Sequence, residues 1–400
     1  MQTADPEEGG KMIREIPKEE FQARIKKLQA AISERGLDAL IAYGNEAEPA
    51  NLRYLSNYWP AFETGAVAVP KEGRAILLIG PESLTYAKGR SRIKEIRQLL
   101  PFRESAEPEY PGKKLTTFTE LFDELSGGKG VKRLGIAGWP ILTMPVYGAM
   151  TEALAKSGGK LERADDLVNK LRMIKSKSEI EVLRVSFKAA KAGFEAVLEE
   201  IKPGMTECEC VGIAQGAIYA NGAESEGHPL YVLSGPNSSM AISRATHRKL
   251  KTGEIIQLNI GARVAGYASS IGRPIVLGKI QEDVRELMSV GIDSHRIIVD
   301  SICAGVPARE VAEKYYAFIR KRGLGHMLLY GPCHGLGLME CEWPWMETSS
   351  NYLLEENMTF QVDAFLHDDK RGTRWEDGIV VTKKGAKLLD DMERKIICIY

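Results

Sequence analysis

The sequence predicts two domains of different kinds: an α/β domain over residues 1–165 and an α+β domain over residues 166–400. Three observations predict them. In the first part, short apolar runs bounded by Gly, Pro and charged residues alternate with stretches of helical spacing. A long helical pattern over residues 171–200 then separates the parts. From Gly227 onward β-like runs predominate, and they surround a histidine held between glycines, Gly331-Pro332-Cys333-His334-Gly335-Leu336-Gly337.

Residues 21–35 place Ile25, Leu28 and Ile32 on one helical face, and Gly36 stops that helix. Leu37-Asp38-Ala39-Leu40-Ile41-Ala42 is expected as a buried strand. Further strands are expected at residues 51–55, 65–69, 75–79 and 133–137, with helices at 81–88 and 118–125. In the 171–200 pattern the apolar positions Ile180, Leu183, Phe187, Ala190, Phe194 and Leu198 fall three or four apart. Ser176 or Ser178 would cap it, and Pro203-Gly204 ends it. Thr206 to Asn221 reads as another helix. The runs 228–233, 255–262, 266–270 and 274–277 read as strands, 283–303 and 307–322 as helices, and 358–382 as a β-rich close. This second half is helices grouped around an antiparallel sheet.

Composition narrows the function classes. Lys+Arg and Asp+Glu are both 54 in 400 residues, so the net charge is zero and the basic excess of a nucleic-acid footprint is absent. No apolar run reaches membrane-spanning length. Residues 1–11 are polar and acidic, without a basic-then-apolar leader pattern, and are expected as a disordered lead-in. The six cysteines form no CxxC pair and no zinc-finger spacing, which fits reduced thiols in a cytoplasmic protein.

Glycine lacks a Cβ, so a histidine between glycines can meet a ligand closely. Asp363, in Met358-Thr359-Phe360-Gln361-Val362-Asp363, and Glu376, in Gly372-Thr373-Arg374-Trp375-Glu376-Asp377, sit on short β-like runs that could point into one cavity with His334. The structural alternatives are a turn histidine for His334 and an ion pair with Arg374 or Arg273 for the acids. Cys341 is either a nucleophile activated by His334 or a core thiol. His228 is either a substrate contact at the pocket edge or surface decoration. Trp343, Pro344, Trp345 and Met346 either wall a pocket or simply pack.

Taken in order, RIKKLQAAISERGLDALIAY, NLRYLSNY, LRMIKSKSEIEVLR, SGPNSS, GEIIQLNIGARVAGYASSIGRPIVLG, CHGLGLMECEWP, ENMTFQVDAF and GTRWEDGIVVTKKG resemble the pita-bread family of creatinase, prolidase, aminopeptidase P and methionine aminopeptidase over nearly the whole chain. The resemblance implies a creatinase-type α/β N-terminal domain plus an α+β pita-bread C-terminal domain, and a homodimer. It also implies a site. The family's two-metal set of Asp, Asp, His, Glu and Glu falls on Asn259, Ser270, His334, Asp363 and Glu376. Two neutral residues therefore stand at ligand positions, which argues against a two-metal centre and leaves no cofactor, or a single divalent ion on His334, Asp363 and Glu376. Two further family histidines fall on Cys341 and near Ile242. Creatinase shares the Asn at position 259, but its guanidinium-binding glutamates fall on Gly272 and Asp363.

The expectation is a hydrolase acting on a C–N bond of a small or dipeptide-like substrate. His334 would be the acid/base, and Asp363 and Glu376 would orient it or bind a cationic group. Cys341, Glu342, His228 and Arg374 are expected to contact substrate. The alternatives are a catalytically inactive domain that binds a ligand or peptide, and an Xaa-Pro dipeptidase.

Overall fold

The structure, a computed structural model, describes residues 15–400. The lead-in expected over residues 1–11 lies outside them. Within them the chain forms two compact units, Pro17–Arg172 and a second containing Met173–Tyr400. No helix among the described residues is long and apolar enough to cross a membrane.

The first unit is a six-stranded mixed sheet with helices α1 (Lys18–Arg35), α2 (Ala50–Ser56), α3 (Leu84–Arg90), α4 (Phe118–Ser126), α5 (Met144–Ser157) and α6, Asp165–Met173, whose last residue falls in the second unit. Its strands are β1 (Ala39–Gly44), β2 (Gly65–Pro70), β3 (Ile76–Ile79), β4 (Ile96–Gln98), β5 (Arg133–Ala137) and β6 (Lys160–Arg163), in the order β4-β3-β2-β1-β5-β6. Strand β1 pairs parallel to β5 and antiparallel to β2. The structure differs from the sequence expectation at residues 51–55, which are helical. That segment has no β-branched residue, Pro49 precedes its first turn, and Asn57 closes it in the left-handed conformation. The short strands β4 and β6 carry few apolar residues and gave no periodic signal.

The second unit opens on α7 (Lys177–Glu200). The expected pattern over 171–200 is broken at residues 174–176, and Ser176 starts a new helix. Its hydroxyl accepts from the Glu179 N–H while the Glu179 carboxylate accepts from the Ser176 N–H, so two N-terminal amides are satisfied reciprocally. Thr206 and Glu209 do the same for α8 (Glu207–Ala220). Then follow β7 (Ser225–Glu226), β8 (Tyr231–Ser234), β9 (Ile255–Ile260), β10 (Ala262–Val264), β11 (Tyr267–Ala268), β12 (Ile271–Leu277), α9 (Glu282–Ser301) and α10 (Ala308–Lys321). The chain closes with β13 (Cys333–Gly335), β14 (Glu342–Met346), β15 (Thr359–His367), β16 (Gly372–Thr382), β17 (Gly385–Leu388) and β18 (Ile397–Ile399). The main sheet runs β14-β13-β15-β16-β12-β9-β8, each neighbour antiparallel.

The period-two alternation of strands sorts its two faces. Phe360, Val362, Ala364 and Leu366 of β15, with Trp375, Ile379 and Val381 of β16, pack against Leu287, Met288 and Ile298 of α9 and Val311, Tyr315 and Ile319 of α10. The residues between them, Gln361 and Asp363 on β15 and Arg374 and Glu376 on β16, therefore face the other way. Phe187 of α7 covers part of that second face, where its ring lies against Gly378.

Asp377, on the core-facing side beside Glu376, accepts from Arg273 Nη2 at 2.7 Å and Arg394 Nε at 2.9 Å, and lies 2.8 Å from His295 Nε2. Burial would raise its carboxyl, but Arg273 and His295 outweigh that and hold it far below the usual carboxylate range. Because Arg273 is fully buried, Asp377→Asn is expected to lower unfolding free energy by about 3–5 kcal/mol in urea titrations, the cost of stranding a buried charge. A loss below about 1 kcal/mol, the worth of a surface pair, would show that this cluster is not structural.

Candidate active site

The β15–β16 register places Asp363 directly opposite Glu376, and β12 places Gly272 opposite both Glu376 and Asn259 of β9. A Cβ on Gly272 would come within 2.6 Å of Asn259 Nδ2 and of Glu376 Cβ. Glycine is required there for these two side chains to meet. Asn259 Nδ2 donates to Glu376 Oε2, and Gln257 Nε2 holds Asn259 Oδ1 at 2.8 Å. The Ser270 hydroxyl lies 3.1 Å from Glu376 Oε2 and 2.9 Å from His228 Nε2, so its single proton serves one of them at a time.

His334 lies on β13, 4% exposed, with its ring against Trp345 at a centroid distance of 5.1 Å. Its Nδ1 faces the Gly335 carbonyl at 3.1 Å, and its Nε2 lies 3.7 Å from Glu340 Oε1. His334, Glu340 and Glu376 bring one donor atom each within 4.8 Å of one another. Asp363 is not part of that group. Its Oδ1 lies 3.1 Å from Arg374 Nε, and its Oδ2 accepts from the Tyr330 hydroxyl at 2.7 Å. Arg374 also donates to the Ala241 carbonyl at 2.9 Å and lies over the Phe365 ring at 4.6 Å.

The electrostatics follow from burial. Desolvation pushes the Glu376 carboxyl well above the ordinary range, and the charges of Glu340 and Asp363 add to it. Desolvation likewise raises Glu340, to about 7. Desolvation lowers His334, but the Cys341 side chain and the charges of Asp363 and Glu376 outweigh it and raise the imidazole to about 9. His228, facing Arg374 and Arg263 rather than acids, is pushed down by burial to about 4. Burial and the neighbouring charges thus raise the proton affinity of both acids and of the imidazole beside them.

A cavity of about 310 Å³ opens over these groups. It brings together most of the residues expected from sequence: His334, Asp363, Glu376, Asn259, His228, Arg374 and Cys341, with Trp345 in its wall and the almost fully exposed Ile242 at its mouth. Ser270 stands behind Glu376. Glu342 was expected at the substrate and is elsewhere: its carboxylate is buried in a 2.9 Å pair with Lys175. Side chains alternate along β14, and Glu342 points away from the cavity that Trp345 lines. Among the described residues, the group close enough to hold an ion is His334, Glu340 and Glu376, whereas Asp363 of the expected single-ion set is engaged by Arg374 and Tyr330. Sequence reading missed Glu340 and Tyr330. Glu340 lies at the tip of the β13–β14 hairpin, and only recognition of that hairpin would have folded it back over His334.

The sequence profile of the creatinase/prolidase N-terminal domain matches residues 24–174, and that of metallopeptidase family M24 matches residues 181–383. The chain belongs to metallopeptidase family M24. Its M24 relatives include the Xaa-Pro dipeptidase of Pyrococcus furiosus, 27% identical over 94% of this chain and all of the relative. The uncharacterized peptidase YqhT of Bacillus subtilis is 26% identical over 94% of this chain and 99% of its own length. Among solved M24-type structures, the prolidase of Pyrococcus horikoshii superposes with a TM-score of 0.80 at 25% identity, over 94% of this chain and all of that one. The Xaa-Pro dipeptidase of Bacillus anthracis does so at 0.80 and 26%, over 95% and 100%. The two-domain, pita-bread architecture is therefore shared.

The raised His334 and Glu340 give a signed pH dependence. Both bind protons more tightly in the folded chain than at their ordinary values of 6.5 and 4.5. Their stabilisation is therefore fully present below those values and is lost as pH rises through about 7 and then about 9. With EDTA present, unfolding free energy is expected to fall by roughly 1–3 kcal/mol between pH 6.5 and 9, and His334→Gln is expected to flatten most of that slope. Equal slopes in the two proteins would contradict the assignment.

Proposed function

We propose that this M24 member hydrolyses a C–N bond of a small substrate by acid–base catalysis from His334, Glu340 and Glu376, without a two-ion centre. The observation that carries the reading is the convergence of those three groups within 4.8 Å beside a cavity. One carboxyl of a close pair, or the protonated imidazole, can give a proton to a leaving nitrogen, while the ionised partner carboxylate accepts one from an attacking water. Asn259 and Ser270 hold Glu376 in place from behind.

Two ions would require bridging carboxylates. Positions 259 and 270 offer an amide and a hydroxyl, both turned toward Glu376, and Asp363 is engaged by Arg374 and Tyr330. That donor set does not fit two ions. It fits one: His334, Glu340 and Glu376 would hold it, with His334 Nδ1 at the Gly335 carbonyl to leave Nε2 for the ion. A single divalent ion would supply carbonyl polarisation or a more acidic water.

A second reading, Xaa-Pro dipeptidase, is supported by the likeness to the Pyrococcus enzymes over 94% of the chain. Elemental analysis with a panel of proline dipeptides, cyclic and acyclic amides and amidines separates the two. At most one equivalent of metal per chain is expected. His334→Asn and Glu376→Gln are each expected to lower kcat by about 10²- to 10⁴-fold on whichever substrate turns over. Two equivalents of metal together with cleavage of proline dipeptides would replace this reading with the dipeptidase.

A further inference from the structure

We propose that a second cavity, between one face of α7 and the segment that joins β17 to β18, binds a small zwitterion carrying both an ammonium and a carboxylate group, as a free amino acid does. This cavity shares no lining residue with the one over His334, and the proposal does not rest on the hydrolase reading.

The cavity holds about 450 Å³, within the range of small-molecule pockets. Arg184, Lys188, Lys191 and Glu195 fall three or four residues apart, so α7 presents them on one stripe. Leu389, Asp390 and Asp391 form the other wall, and Phe187 and Leu389 supply apolar lining. Part of the charge is already matched: Lys191 Nζ lies 2.7 Å from Asp391 Oδ1 and 3.8 Å from Glu195 Oε1. The other two cations are not matched. The half-buried Arg184 makes one contact, a 3.4 Å approach of Nη1 to the Leu388 carbonyl. Burial lowers the proton affinity of its guanidinium, and the charge of Glu181 acts against that. Lys188 has no ion-pair partner among the described residues. A guanidinium that has lost part of its water without gaining a carboxylate is ready for a two-point bond to an incoming one.

The acid wall supplies an independent observation. Asp390 lines the cavity with a side chain only 1% exposed. Its Oδ1 accepts from the Met392 N–H at 2.9 Å, and its Oδ2 has no hydrogen-bond partner. Arg394 Nη2 stays 4.0 Å from Oδ1, while Arg394 Nε is held by Asp377 at 2.9 Å. Burial pushes the Asp390 carboxyl up to about 8, the charge of Asp377 adds to it, and Arg273 and Arg394 offset only part. A buried acceptor without a donor is costly, and an ammonium group brings it a donor and a counter-charge together. Unmatched cations on one wall and an unmatched acid on the other therefore call for a ligand with both signs. A plain anion would leave Asp390 without a partner, and a plain cation would meet Arg184 and Lys188 in repulsion.

The test is isothermal titration of the full chain, at constant ionic strength, with glycine, leucine and phenylalanine. Each is paired with its N-acetyl form, which keeps only the carboxylate, and its amide, which keeps only the ammonium. One-to-one binding of at least one of the three amino acids is expected, with both blocked forms weaker by about ten-fold or more. Arg184→Gln and Asp390→Asn are each expected to weaken that binding by a similar factor, with thermal melts confirming that they fold. Lys188→Gln, at an exposed position, is expected to weaken it as well and keeps the test valid if Asp390→Asn does not fold. His334→Asn, in the other cavity, is expected to leave it unchanged. No binding of any of the three, equal binding of an amino acid and either of its blocked forms, or binding that His334→Asn abolishes and Arg184→Gln leaves intact would each overturn the proposal.

Discussion

The antiparallel pairing of β15 with β16 is the constraint on which the site depends. Nine consecutive residue pairs, from Thr359 opposite Val380 to His367 opposite Gly372, lock one register. In that register Asp363 and Glu376 are directly opposed, and Val362, Ala364 and Trp375 beside them face α9 and α10. A slip by one residue would turn every side chain over, sending the acids into the core and Trp375 into the cavity. The apolar face thus sets the polar one. Phe360, Val362, Trp375 and Ile379 are fully buried, and the free energy of keeping them so holds the carboxylates where chemistry needs them.

Two acids adjacent in sequence show how neighbouring side chains decide a carboxylate's role. Asp377 points to the core side and meets Arg273, Arg394 and His295, so it is held ionised and serves the structure. Glu376 points to the cavity side and meets an amide, a hydroxyl and another acid, so burial raises its carboxyl and the charge of Arg374 offsets that only in part. Strand alternation separates them. Gly272 is the hinge of this arrangement, since a side chain at that position would part Asn259 from Glu376.

Much of the fold was legible because period and punctuation agreed. Ser176-x-x-Glu179 and Thr206-x-x-Glu209 are local capping signals, and they start helices where the structure starts them. The alternation through residues 358–382 was legible for the same reason. Residues 51–55 were not, since five apolar and polar residues in a row suit a buried strand or a short helix equally, and Pro49 and Asn57 decided the matter. In the site, Asp363 could be placed beside Arg374 only as one of two options, and Glu342 rather than Glu340 was expected at the substrate. Which of those two turns toward His334 depends on the hairpin between β13 and β14, whose pairing shifts register at His334 and Gly335.

The sequence by itself determined the family architecture, the position of His334 between glycines, and the neutral character of Asn259 and Ser270, because these are properties of residue type and order. Only the tertiary structure decided which acids share the cavity. Glu340 reaches His334 from a hairpin tip, Asp363 is claimed by Arg374 and Tyr330, and Glu342 is claimed by Lys175 from a distant segment. The reason is that each such partnership joins residues far apart in the chain, and burial, which appears only once the sheet has closed, sets how strongly each carboxyl holds its proton.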